Sequence, residues 1–120
     1  MTTSAAAYAA ARAEGRAALV GYLPAGFPSY TGCLEAMRAL IDGGADVIEL
    51  GLPYSDPGSE GPTIQAATER ALRGGTRITD VLRTVEATVA MGAPVVVMTY
   101  WNPVLAYGVE RFAKDLAETG

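Results

Sequence analysis

Three observations predict an α/β protein built on a parallel sheet. Three short, nearly continuous apolar runs are bounded by Gly or Pro, as expected of strands covered on both faces. Stripes of apolar residues at helical spacing lie between and after them. Strand and helix alternate along the chain, which implies right-handed βαβ crossovers.

The elements follow in order. The opening MTTSAAAYAAARAEGRAA is small and apolar in tone but interrupted by Arg12, Glu14 and Arg16. It lacks the basic start and long apolar core of a signal peptide and reads as a short surface helix. Residues 18–23, ALVGYL, form the first predicted strand. Ser29 is the N-cap of a helix carrying Leu34, Met37, Leu40 and Ile41, which Gly43 and Gly44 end. Residues 46–51, DVIELG, form the second strand. Pro62 suits the first turn of a helix with Ile64, Ala67, Ala71 and Leu72, closed by Gly74 and Gly75. A further helix begins near Thr79 with Leu82, Val85 and Val89 on one stripe, so this unit has a doubled helix. The third strand is residues 95–100, VVVMTY, and a last helix presents Val109, Phe112, Ala113 and Leu116, with Glu110 and Lys114 as a supporting pair.

Bulk properties narrow the class. With 120 residues, 50% hydrophobic and 18% charged, the composition is that of one packed domain rather than a disordered tail. The net charge is −4 and the nine Lys and Arg are scattered, which argues against a nucleic-acid partner. The single Cys33 excludes an intramolecular disulfide and fits a reducing compartment. No run approaches the roughly 18 apolar residues of a membrane span, so the expectation is a soluble, cytoplasmic protein. A fourth strand is expected after the last helix, and a closed barrel of such units takes about 250 residues. Residues 1–120 therefore read as one partial (β/α)8-barrel domain, truncated after the third strand–helix unit.

Glu49 stands out chemically. It interrupts an apolar strand, where a carboxylate is costly unless paired or used. Alternation puts Val47 and Glu49 on one face and Ile48 and Leu50 on the other. With Ile48 and Leu50 against helices, Glu49 points into the barrel near its C-terminal mouth, where barrel active sites lie. There it is a candidate general acid–base group; the alternative is a structural carboxylate paired with an Arg or backbone N–H groups. The following loop, LPYSDPGSEGPTIQ, is long and polar and sits where such folds place catalytic segments. By composition alone an ordinary solvated acidic loop is the better reading. Asp56 and Glu60 lack the spacing of a metal site, and the chain has no His. Tyr22 and Tyr100 end the first and third strands and either line the mouth for a flat apolar ligand or cap the core. Cys33 has no His partner for nucleophilic work, and no Ser–His–Asp set, Walker loop or GxGxxG occurs.

Taken together, IELGLPYSDPGSEGPTIQAA, GYLPAGFPS and VMTYWNPVLAYG resemble the tryptophan synthase α-chain family in order and spacing over residues 17–120. The resemblance implies a lyase that splits indole-3-glycerol phosphate into indole and glyceraldehyde 3-phosphate. It implies Glu49 as the catalytic glutamate at indole C3 and Glu60 as the second catalytic carboxylate, at the indole N–H. Tyr22, Met98 and Tyr100 match positions lining the indole pocket. Pro53, Asp56, Pro57, Asn102 and Pro103 match positions facing a β subunit, which holds pyridoxal phosphate; the α chain carries no cofactor and no metal. One departure stands out: the family places Asp where this chain has Glu60, one methylene longer. Nothing resembling a phosphate cradle is visible, so the 120-residue piece alone is expected to be inactive. Two alternatives remain: a non-catalytic α-like subunit that binds or activates a β partner, or another phosphate-binding barrel enzyme.

Overall fold

A computed structural model describes residues 3–56 and 58–120. The order is α1 (Ser4–Ala13), β1 (Val20–Pro24), α2 (Tyr30–Asp42), β2 (Val47–Gly51), α3 (Pro62–Arg73), α4 (Ile78–Ala90), β3 (Val95–Met98), α5 (Trp101–Tyr107) and α6 (Val109–Glu118). The sheet runs β1-β2-β3 with both pairs parallel, the arrangement that the alternation predicts.

Local chemistry sets the helix ends. The Thr3 hydroxyl accepts from the Ala6 N–H at 3.1 Å and opens α1. The Ser29 hydroxyl accepts from the Gly32 N–H at 3.0 Å, as its N-cap assignment requires. Pro62 occupies the first turn of α3, where its missing N–H costs nothing. In α4 the Asp80 carboxylate reaches back to the Arg77 N–H at 2.9 Å, starting the helix one residue earlier than Thr79. Gly44, at φ +103, turns the chain out of α2 with a backbone that other residues rarely adopt.

The helices cover one face of the sheet. Ile48 and Leu50 are fully buried there, with Leu23, Val95 and Val97 beside them, against Cys33 and Met37 of α2 and Val81, Leu82 and Val85 of α4. Buried Thr84 and Thr88 return their hydroxyls to the carbonyls of Asp80 and Thr84, each at 2.7 Å, so neither hydroxyl is left unpaired in the core. The opposite face carries Val20, Tyr22, Val47, Glu49 and Val96 by register. It is more open, with Val20 38% and Val96 42% exposed.

Besides the start of α4, the structure differs from the sequence reading in five places. β2 begins at Val47 rather than residue 46, because the Asp46 side chain is turned to Arg16 and the Leu19 N–H. β1 begins at Val20 rather than residue 18, because the backbone of Leu19 is committed to Asp46 and Val47 instead of extending the ladder. β3 ends at Met98 rather than residue 100, since Thr99 and Tyr100 turn into α5. That helix was not expected; Pro103 sits within its first turn, where its missing donor is harmless, and Trp101 opens it with 59% exposure. On α6 the i,i+4 pair that forms is Arg111–Asp115, at 3.7 Å, not Glu110–Lys114. Among the described residues, no helix is long and apolar enough to cross a membrane.

A charged clasp joins the α1–β1 connection to the start of β2. Arg16 donates from both terminal nitrogens to the two Asp46 oxygens at 2.9 Å, and the Leu19 N–H donates to one of them at 2.7 Å. The Arg16 guanidinium, with the Leu19 N–H, holds the Asp46 carboxyl at about 2, below its ordinary 3.8. A lowered folded-state value contributes stability that is present above the unfolded value and lost as pH falls through the folded one. Acidifying from pH about 4 to about 2 should therefore lower the unfolding temperature of the wild type more than that of Asp46→Asn. Scanning calorimetry across this range checks it, and parallel curves for the two proteins would contradict it. In the core, Met37→Ala should cost about 2–5 kcal/mol in denaturant unfolding, because it removes most of a fully buried side chain and leaves a cavity in the core.

Candidate active site

The sheet register assembles the site before any side chain is considered. Tyr22 is the direct neighbour of Glu49 and Glu49 of Val96, all on the face away from the helices, while Met98 pairs with Gly51 one step nearer the strand ends. Glu49 is half-buried between the neighbouring strands. Ile48 and Leu50 on either side of it are fully buried on the opposite face, which leaves the carboxylate only the open side.

Tyr22 does not stand straight up from β1. Its ring leans across β2 over Gly51, where an added Cβ would come within 3.0 Å of the ring Cζ and closer still to the hydroxyl. From there the hydroxyl donates to Glu60 Oε1 at 3.3 Å, joining β1 to the loop that follows β2. Burial, and then the negative charges of Glu60 and Glu49, push the Tyr22 hydroxyl well above the usual phenol range. Tyr22 therefore stays protonated and remains a donor at any working pH.

The loop is held at a second point. Tyr100, just past β3, accepts the backbone N–H of Ser59 on its hydroxyl at 3.1 Å. Tyr54 packs on Tyr100 with ring centroids 5.3 Å apart, and Asn102 of α5 donates to the Tyr54 hydroxyl at 3.1 Å. Two phenols from β1 and the end of β3 thus grip two successive residues, Ser59 and Glu60. Gly61, at φ +79, then redirects the chain into α3.

Of the residues read as site candidates, Tyr22, Glu49, Glu60 and Tyr100 gather at the C-terminal ends of the strands, and Met98 shares their face. Pro53, Asn102 and Pro103 line a separate cavity of about 480 Å³ with Tyr54, Leu72 and Ile78, bordered by none of Tyr22, Glu49 or Glu60. Asp56 borders an adjacent depression with Ser55 and Glu69, and Pro57 lies outside the described residues. Three participants were not singled out from sequence: Gly51, Tyr54 and Ser59. A glycine on the same face as a tyrosine of the adjacent strand was the available signal for Gly51. Ser59 acts through its backbone and left none. Among the described residues, no three His, Cys, Asp or Glu side chains gather where a metal ion could be held.

Two carboxylates near the open ends of the strands can exchange protons with a flat ligand laid there, while the two phenols hold the loop beside it. Comparison with known proteins agrees with the sequence resemblance. The family model described as tryptophan synthase alpha chain matches residues 8–120. The tryptophan synthase alpha chain of Streptomyces coelicolor is 65% identical over 113 residues, covering 93% of this chain and 42% of the relative. That of Nocardia farcinica is 60% identical over 113 residues, with 94% and 42% covered. Among solved structures, aminoacrylate-bound tryptophan synthase from M. tuberculosis superposes with a TM-score of 0.93 at 57% identity, covering 95% of this chain and 46% of that one. The alpha subunit from Legionella pneumophila superposes with a TM-score of 0.90 at 39% identity, covering 95% and 44%. The chain thus spans about two-fifths of the length of the curated relatives it matches, and over that length its fold is the corresponding part of their barrel. The chain belongs to the tryptophan synthase alpha chain family.

Proposed function

We propose that the protein containing this chain is a carbon–carbon lyase of the tryptophan synthase α type, cleaving indole-3-glycerol phosphate to indole and glyceraldehyde 3-phosphate. The observation that carries this reading is the placement of Glu49 beside Tyr22 on one face, with Glu60 hydrogen-bonded to that same tyrosine.

The chemistry demands two proton-handling groups. The bond from indole C3 to the glycerol carbon cannot break toward an aromatic leaving group until C3 is protonated, and Glu49 is assigned to deliver that proton. Protonation at C3 places positive charge on the ring nitrogen. The Glu60 carboxylate is assigned to stabilise that charge through the indole N–H or to remove its proton. As the bond breaks, its electron pair returns to the ring, and the hydroxyl on the departing carbon gives its proton to the Glu49 carboxylate, left deprotonated by the first transfer, to become the aldehyde. Tyr22, Met98 and Tyr100 are assigned to the walls of the indole pocket.

We assign Pro53, Asp56, Pro57, Asn102 and Pro103 to contact with a β chain, supported by the grouping of Pro53, Asn102 and Pro103 around one cavity. Pyridoxal phosphate belongs to that partner, and the setting is cytoplasmic. Residues 1–120 are then part of one barrel domain whose phosphate-holding loops follow later strands; alone, this segment is expected to release no indole.

In the full-length protein, Glu49→Gln should lower indole release by a factor of about 10² or more, since it keeps the shape and removes the proton. An assay of indole formation decides it, and near-wild-type turnover would sink the assignment. The observation favouring a second reading, a non-catalytic subunit that activates a β partner, is the glutamate at position 60. Glu60→Asp discriminates: a large gain in lyase rate would mark eroded catalysis, whereas the lyase reading expects no gain.

A further inference from the structure

We propose that Tyr22 is a positioning residue for Glu60, its hydroxyl setting where the longer glutamate arm places its carboxylate; this rests on the lyase reading above. Glu60 lies in a segment with little of its own to hold it. Gly58 and Ser59 are exposed, Gly61 has the backbone freedom of a positive φ, and α3 begins without a side-chain cap. Tyr100 fixes the Ser59 backbone, but a backbone anchor one residue away leaves the Glu60 side chain free to rotate. A side-chain donor that does reach this carboxylate is the Tyr22 hydroxyl, at 3.3 Å. That is longer than the usual range of about 2.5–3.0 Å for O–H···O, as catalytic contacts often are before substrate draws a site together.

Arm length and donor match. An aspartate would end one C–C bond, about 1.5 Å, nearer the backbone and leave the phenol behind. The hydroxyl reaches so far only because the ring lies over Gly51, where a Cβ would meet Cζ at 3.0 Å. Three positions from separate places in the chain, 22, 51 and 60, thus act as one device. The phenol stays protonated beside the two glutamates, so it donates to Glu60 throughout.

The test is a mutant cycle in the full-length protein assembled with its β chain, measuring indole release from indole-3-glycerol phosphate. Tyr22→Phe keeps the ring and should lower kcat about tenfold, the usual scale for losing a hydrogen bond to a charged group, with KM shifting less than about twofold. On a Glu60→Asp background, where the hydroxyl no longer reaches, the same substitution should cost less than about twofold. Gly51→Ala, which displaces the ring from below, should lower kcat as well, and should also raise KM because that ring walls the indole pocket. Undiminished kcat in Tyr22→Phe overturns the proposal, as does an equally large loss on both backgrounds, the sign of a merely structural role. If Glu49→Gln and Glu60→Gln both keep full lyase rate, the lyase reading itself falls, a result separable from additivity at Tyr22.

Discussion

The parallel register of the three strands governs the rest of the molecule. Because Tyr22, Glu49 and Val96 are lateral neighbours, the face that α2 and α4 do not cover acquires one carboxylate flanked by a phenol and a valine. A slip of one residue in β2 would turn Glu49 into the helix-covered core and bring Ile48 or Leu50 to the open side. Both leucine and isoleucine are fully buried, so that slip would lose much of the core at once. The position of the candidate acid is therefore secured by hydrophobic burial on the opposite side of the sheet.

Polar contacts then refine what burial makes coarse. Asp46, three residues before Glu49, ties the entry of β2 to Arg16 and to the backbone of Leu19. At the other end, Tyr22 and Tyr100 bind the loop that leaves β2. The strand that carries Glu49 is thus anchored at both ends by side chains from other segments. The N-terminal anchor is ionic and the C-terminal one phenolic. The phenols suit a place where two carboxylates already sit close together, since each tyrosine adds a donor or acceptor without adding charge.

Much of this could be read in the sequence because each signal was local. DVIELG shows Glu49 as a polar break in an apolar run, Ser29 precedes its helix as an N-cap, and Pro62 marks a first turn. The family motifs place Glu60, Tyr22 and Tyr100 near Glu49. What escaped was either non-local or masked by punctuation. The Tyr22–Glu60 contact spans 38 positions, and nothing at either one names the other. Gly51 reads as the end of a strand, although its lack of a side chain is what admits the Tyr22 ring. The seven residues of α5 follow directly on an apolar strand and contain a proline, so they resemble a strand end and a loop. The start of β1 shifted because Asp46, distant in sequence, captures the backbone of Leu19.

The short helix that escaped notice has one more implication. Trp101 is the only tryptophan in the chain, stands next to Tyr100 at the rim and is 59% exposed. Indole emission depends strongly on contact with water, so the chain carries a built-in optical reporter on its rim. Covering that rim would move the emission to shorter wavelength. Rearrangement among α2, α4 and the helix-covered side of the sheet would leave the fluorophore in solvent and its colour unchanged.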